Sequence, residues 1–244
     1  RRHLDRLLEA AVPGYADDLA AHSAALSQRN AALRGVRAGR AGVDAVAPWE
    51  PAIAAHGARI VAARRDALHA LAEPFARWMD DLGGGPGGVV RLEPSPAALA
   101  DVPTDALEGH LMERLRDARP REVAAGLTLA GPHRDDVLVG QERDGAVVDL
   151  RAVGSQGEQR TAVLALIMAH REHLGARVGL PILVLDDVLS ELDPRRRGLL
   201  LDAVVGAGQC LLTTADPAAA DAAAERGAHV VMVERGMGAS TATS

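Results

Sequence analysis

Two adjacent carboxylates, Asp186 and Asp187, close the apolar run Pro181-Ile182-Leu183-Val184-Leu185. Acids at the carboxyl end of a buried strand are how nucleotide-hydrolysing sites offer oxygen to Mg²⁺ and to an attacking water. Two such groups side by side are costly unless a cation or a water uses them. Asp186 is the candidate for the Mg²⁺ contact, through water. Asp187 is the candidate catalytic base that polarises the water. About thirty residues upstream stand Ser155, Gln156, Gly157 and Glu158. Their Ser-x-x-Glu spacing is a capping box, which places a helix start there. It admits two readings: a purely structural cap, or a turn whose N–H groups and positive helix end face a γ-phosphate. One absence matters as much. All the basic residues are arginine, so the phosphate-cradling pattern G-x-x-x-x-G-K-[ST] cannot occur in this chain.

The elements that must position these groups form a run of short strands, turns and helices from Gly126 onward. Leu127 to Val139 reads as strand, loop and strand, and Asp144-Gly145 between apolar runs as a hairpin turn. The helix opened by Ser155 is predicted to bury Val163, Leu166, Ile167 and Leu174 and to end near Gly175. Ile182–Leu185 reads as a fully buried strand from its continuous apolar run. Asp193-Pro194 supplies an N-cap and a first-turn proline for the next helix. A strand at Cys210–Thr213, a helix near 217–226 and a strand at His229–Glu234 complete an α/β layer, and the tail 236–244 is predicted disordered. No internal repeat is visible.

The first half of the chain reads as helical. Leu4, Leu7, Leu8 and Val12 recur at helical spacing until Pro13-Gly14. Leu19, Leu26 and Leu33 form a seven-residue seam weakened by Ser23 and Asn30. Ile60, Leu68, Leu71, Phe75, Trp78 and Leu82 share a face, and Pro74 within it is predicted to kink or divide the helix. The glycine-rich segment 83–88 is a break. A short strand follows near 89–92, then a helix over 104–116. The domains predicted are a helical arm over 1–125 and an α/β domain over 126–244.

Composition is that of an ordinary folded protein, with 25% charged and 48% apolar residues in 244. The longest apolar runs fall far short of a membrane span. No leader is visible at the opening RRHLDR, which lacks an initiating Met and predicts a chain whose natural start lies upstream. The single Cys210 excludes an intrachain disulfide and suits a reducing compartment. The net charge of −6 argues against binding nucleic acid with the whole surface. Between His22 and Arg65, however, arginines 29, 34, 37, 40, 59, 64 and 65 face only Asp44 and Glu50, an excess of five positive charges. Either these form a solvated helix face, or Arg34, Arg37, Arg64 and Arg65 contact DNA phosphates without reading bases.

GPHRDD (131–136), GSQGEQR (154–160), LVLDDVLSELDP (183–194) and LLTTAD (211–216) resemble the successive motifs of the RecF recombination-mediator family. RRHLDRLL and LSQRNAAL resemble that family's helical arm. The resemblance covers nearly the whole chain. It implies an α/β fold: the C-terminal part of an ABC-ATPase-like head, a mixed sheet with flanking helices, plus an α-helical arm. It also implies a cytoplasmic ATPase that uses ATP and Mg²⁺. Such a protein dimerises around ATP, binds duplex DNA or single/double-strand junctions, and works with RecR- and RecO-type mediators to load recombinase at single-stranded gaps.

By position, the resemblance makes Ser155, Gln156, Gly157 and Glu158 the signature turn that contacts ATP held by the opposite subunit. Asp186 becomes the Walker B acid and Asp187 the catalytic base. Ser190, Glu191, Leu192 and Asp193 become the D-loop at the dimer seam, and Thr213 and Thr214 the switch region. His133 and Arg134 fall in a motif as either a structural loop or a phosphate contact. The family's Walker A loop and first lobe are missing here, which implies that this chain alone does not hydrolyse ATP. Two other readings stay open: a non-catalytic dimerisation or adaptor module of SMC type, and an ABC transporter cassette. The lack of a His after Thr213 argues against the cassette.

Overall fold

A computed structural model describes residues 1–205, 207–233 and 241–242. In chain order, α1 spans Arg2–Ala11, α2 Tyr15–Arg37 and α3 Glu50–Asp81. Strand β1 (Gly88–Glu93), helix α4 (Leu107–Ala125), and the strands β2 (Asp136–Arg143) and β3 (Ala146–Asp149) follow. Then come α5 (Leu150–Val153), α6 (Gln156–Val178), β4 (Leu183–Asp186), α7 (Pro194–Val204), β5 (Cys210–Thr213) and α8 (Pro217–Ala224). The short β6 (Val231–Met232) and β7 (Thr241–Ala242) close the order. Among the described residues no helix is long and apolar enough to cross a membrane.

The chain divides into two compact units, residues 1–72 with 90–138 and residues 73–89 with 139–244. This differs from a single cut at residue 125. Helix α3 runs without interruption through Pro74, so its last turns belong with the second unit while its first turns belong with the first.

In the first unit, Ile53, Ala54 and Val61 of α3 pack with Ala25 of α2 and with Leu107 and Leu111 of α4. Each fully buried leucine contributes roughly 1.5–3 kcal/mol. The buried stripe of α2 is not the leucine seam that the sequence predicts. It comprises Tyr15, His22, Ala25, Arg29 and Leu33, and Leu19 and Leu26 stay half-buried. Two of those positions are polar, so hydrophobic periodicity passes over them. Arg29 is fully buried and paired with Glu122 (2.6 Å) and Glu50 (3.0 Å). It also donates to the Thr128 hydroxyl (2.8 Å).

The strand predicted from Leu127 does not form. The backbone there is bonded by side chains instead: the Thr128 N–H donates to Asn30 Oδ1 (2.7 Å) and the Leu129 N–H to Glu122 Oε1 (2.6 Å). Pro132–Arg134 is a short 3₁₀ turn whose His133 ring lies 5.8 Å from that of His22. The Nε2 of His133 sits 3.3 Å from the Thr128 carbonyl, while Arg134 is exposed.

Burial, with the neighbouring His133, pushes the His22 imidazole from 6.5 down to about 4. A buried ring that resists protonation contributes stability that is complete above the unfolded value and is lost as pH falls from 6.5 towards 4. The loss is on the order of 3 kcal/mol. Urea unfolding between pH 7 and 4 should show this slope, and His22→Gln should flatten it. An equally steep slope in the variant would remove His22 as its source.

In the second unit, β2 and β3 pair antiparallel through Arg143↔Ala146 around the two-residue turn Asp144-Gly145. Both turn residues have positive φ, 52° and 77°, the mirror-image turn that a tight hairpin needs. Strands β4 and β5 run parallel with Asp186 opposite Thr213. Strand β4 is not fully buried, contrary to its apolar run. Leu183 and Leu185 point inward, while Ile182 and Val184 are 56% and 62% exposed, beside Leu211 on β5 at 55%. Nothing among the described residues covers that face. Helix α6 likewise buries Leu164, Ala165, Met168 and Ala169 rather than Val163, which is exposed, and it continues past Gly175 to Val178. In the C-terminal segment, β6 pairs antiparallel with β7. The predicted disorder of 236–244 otherwise falls outside the described residues.

Candidate functional site

The helix α6 begins with the capping box read from the sequence. The Ser155 Oγ accepts from the Glu158 N–H (3.3 Å), and Glu158 Oε2 accepts from the Ser155 N–H (2.7 Å). That bond to the Ser155 N–H, then the Arg143 guanidinium, holds the Glu158 carboxyl below its usual range. The cap uses the Glu158 N–H. The N–H groups of Gln156 and Gly157, in the first turn, have no partner within a regular helix. The serine hydroxyl keeps its own proton to donate. The end of the Arg196 side chain rests against the turn at Gly157, where a Cβ would make it swing aside.

At the end of β4, Asp186 and Asp187 are both exposed. Thr213 on the neighbouring strand serves both. Its hydroxyl donates to Asp186 Oδ1 (2.5 Å) and accepts from the Asp187 N–H (3.0 Å), and its carbonyl accepts from the same N–H (3.1 Å). Asp187 adopts a left-handed conformation, φ 49° and ψ 25°, so the chain leaves the strand abruptly at this residue. Aspartate tolerates that region better than most residues. Thr214 has a local role: its hydroxyl accepts from the N–H of Asp216, the N-cap of α8.

The segment 190–193 is tied down within the chain. Ser190 Oγ donates to the Asp187 carbonyl (2.8 Å), Leu192 is buried, and Asp193 caps α7 by accepting from the Arg196 N–H (3.0 Å). Glu191 meets Arg160 of α6 twice, through its carbonyl (2.8 Å) and its carboxylate (3.2 Å). One unit therefore brings together the Ser155–Glu158 turn, the strand-end acids and the segment between them. Arg160, Arg196 and Arg143 are the connecting residues that the sequence reading missed. Nothing in their spacing distinguishes them from other surface arginines.

The basic stretch fares differently. Arg64 is not a surface cation. It is 2% exposed and bonded to Asp5 (2.9 Å), Asp135 (3.1 Å) and the Pro132 carbonyl (2.7 Å), so it cannot serve as a DNA contact. Arg65 donates to the Val102 carbonyl (2.5 Å) and is half-buried. Arg34 and Arg37 remain exposed, Arg37 with one bond to the Ala125 carbonyl (3.0 Å).

Among the described residues no group of three or more His, Cys, Asp or Glu is placed to hold a metal ion. Mg²⁺ keeps several waters and takes one or two carboxylates beside substrate phosphates. Asp186, exposed and oriented by Thr213, fits that requirement, and the Ser155 turn fits a phosphate. The residues fit part of an ATP–Mg²⁺ site. They lack a lysine for the β- and γ-phosphates.

No family model matches the chain. It is 37% identical over 244 residues to the DNA replication and repair protein RecF of Moorella thermoacetica, covering 97% of this chain and 61% of that protein. It is 40% identical over 227 residues to RecF of Chloroflexus aggregans, covering 88% of this chain and 55% of that protein. A solved structure of the recombination mediator protein RecF with ATP is similar in fold, with a TM-score of 0.73 and 27% identity over 88% of this chain and 57% of the other. The chain thus spans about three-fifths of the length of the curated relatives it matches. Its architecture is mixed helix and sheet, as in that RecF structure. In sequence and in fold, this chain belongs to the RecF family.

Proposed function

We propose that the chain forms the arm and part of the head of an ATP-dependent DNA repair protein, which dimerises around ATP and acts in the cytoplasm on gapped or junction DNA. The observation that carries this reading is the coupling, within one unit, of an exposed helix-start turn to two exposed strand-end acids through Arg160 and Glu191. Bound ATP–Mg²⁺ supplies the phosphoryl group to be hydrolysed and the charge that steadies it. Ser155, Gln156 and Gly157 offer hydrogen-bond donors to the γ-phosphate of a nucleotide held by a second copy. Asp186 would hold the hydrated Mg²⁺, Asp187 would take a proton from the attacking water, and residues 190–193 would lie at the seam between the copies. The uncovered Ile182, Val184 and Leu211 support a head completed by the region of RecF proteins that this chain does not span, where the phosphate-binding lysine would lie. Exposed Arg34 and Arg37 supply DNA phosphate contacts, and RecR- and RecO-type mediators are the partners.

Ser155→Arg in the full-length protein carrying this chain tests the reading. The bulky cation fills the space the phosphate would take, so ATP-driven dimers should disappear on size-exclusion chromatography while the fold persists. Normal ATP-driven dimers in this variant would refute the phosphate role of the turn. A second reading, a dimerisation module without turnover, predicts dimers that form with ATP and never hydrolyse it.

A further inference from the structure

The Ser155–Glu158 turn is held from outside by side chains that its own motif does not contain. Gln141, on β2, is 7% exposed, and its amide is fully used. Nε2 donates to the carbonyls of Gly84 (3.0 Å) and Pro86 (2.8 Å) in the glycine-rich segment. Oε1 accepts from Arg143 through Nε (3.2 Å) and Nη2 (2.8 Å). Only this orientation of the amide satisfies both neighbours, since carbonyls cannot donate and a guanidinium cannot accept. Arg143 then donates through Nη2 to Glu158 Oε1 (2.6 Å), while Glu158 Oε2 holds the Ser155 N–H. The two carboxylate oxygens therefore have separate tasks, one inside the turn and one towards the hairpin.

We infer that Arg143, oriented by Gln141, is a positioning residue that sets the geometry of the Ser155–Glu158 turn for the ATP phosphate. This rests on the phosphate reading of that turn. An isolated ion pair with side chains 36% and 27% exposed would contribute little. This one differs because its guanidinium is fixed by a buried amide that is itself fixed to backbone. A carboxylate bonded by the turn alone is free to rotate about its last torsion. Bonded on both sides, it holds the Ser155 N–H, and with it the serine hydroxyl, in one place. Preorganisation of this kind acts on ligand affinity more than on global stability.

The test uses the full-length protein carrying this chain, with ATP as the probe. Arg143→Gln should raise the ATP concentration for half-maximal dimerisation about fivefold, the scale of one partly exposed charge-assisted hydrogen bond. The final extent of dimerisation and the melting temperature should stay unchanged. Hydrogen exchange at the Ser155 amide should accelerate in the same variant without ATP. Gln141→Leu should act in the same direction, and Arg143→Lys should recover part of the loss by restoring the charge without the fork. A half-point unmoved in Arg143→Gln overturns the inference, whether or not exchange at Ser155 changes. So does a loss that Arg143→Lys leaves complete and that tracks a lowered melting temperature, because the residue would then be structural. Ser155→Arg separates the two levels. If it blocks dimerisation while Arg143→Gln behaves as wild type, the positioning role alone falls. If Ser155→Arg dimerises normally, the phosphate reading falls first.

Discussion

Asp187→Asn in the full-length protein should slow ATP turnover by roughly 10²–10⁴-fold, the span that a positioned general base contributes. It should leave ATP binding and the ATP-dependent dimer intact, and so prolong the dimer. The structure explains why this substitution isolates the chemistry. Both main-chain groups of Asp187 are already engaged, its N–H by Thr213 and its carbonyl by Ser190, and neither bond involves the side chain that changes. Asparagine tolerates the left-handed conformation at φ 49° as readily as aspartate does. Asp186 keeps its bond from the Thr213 hydroxyl, so the carboxylate proposed for Mg²⁺ is not disturbed. What is lost is the ability to accept a proton. Single-turnover hydrolysis, measured beside dimer lifetime, checks both halves. Unchanged turnover would take Asp187 out of the catalytic role.

Arg29→Ala should destabilise the first unit by about 3–5 kcal/mol, the cost of removing one partner from a buried ion pair. Glu122 and Glu50 have almost no exposure, and each would be left in the interior with fewer partners. Glu122 would retain the Leu129 N–H, and Glu50 would retain Arg119 at 2.6 Å. The Thr128 hydroxyl and the Leu115 carbonyl would each lose a donor as well. The urea midpoint should fall with an unchanged slope, whereas exposed Arg34→Ala should shift stability by no more than about 0.5 kcal/mol. Replacing Arg29, Glu50 and Glu122 together by apolar residues of similar volume should restore much of the loss, because a buried network costs more to break than to replace. A loss below about 1 kcal/mol for Arg29→Ala would show that water reaches the network.

The features that the sequence revealed are those set by neighbours along the chain. A serine three residues before a glutamate makes the cap at Ser155 whatever surrounds it, and Asp193-Pro194 and Asp144-Gly145 act over equally short spans. The strand ending in Asp186 and its parallel partner ending in Thr213 were legible for the same reason, as apolar runs stopped by polar residues. Burial was less legible because it depends on what lies opposite. The apolar run of β4 reads as buried on both faces, yet Val184 lies open because no described element covers it. Leu127–Ala130 reads as a strand, yet its backbone bonds go to side chains instead, to Asn30, which is distant in sequence, and to Glu122 on the preceding helix.

Charge misled most. Arg29, Arg64 and Arg34 are the same residue type in one basic stretch, and nothing local separates them. Two are neutralised in the interior by acids brought from 50, 122, 5 and 135, while the third stays in solvent. The sequence by itself determined where the helix-start turn and the paired acids stand, because capping and strand termination are short-range. Only the tertiary structure decided which arginines are structural and which residues brace the turn. Pairing an ion, or burying it, is a relation between chain segments that only folding brings within about 3 Å.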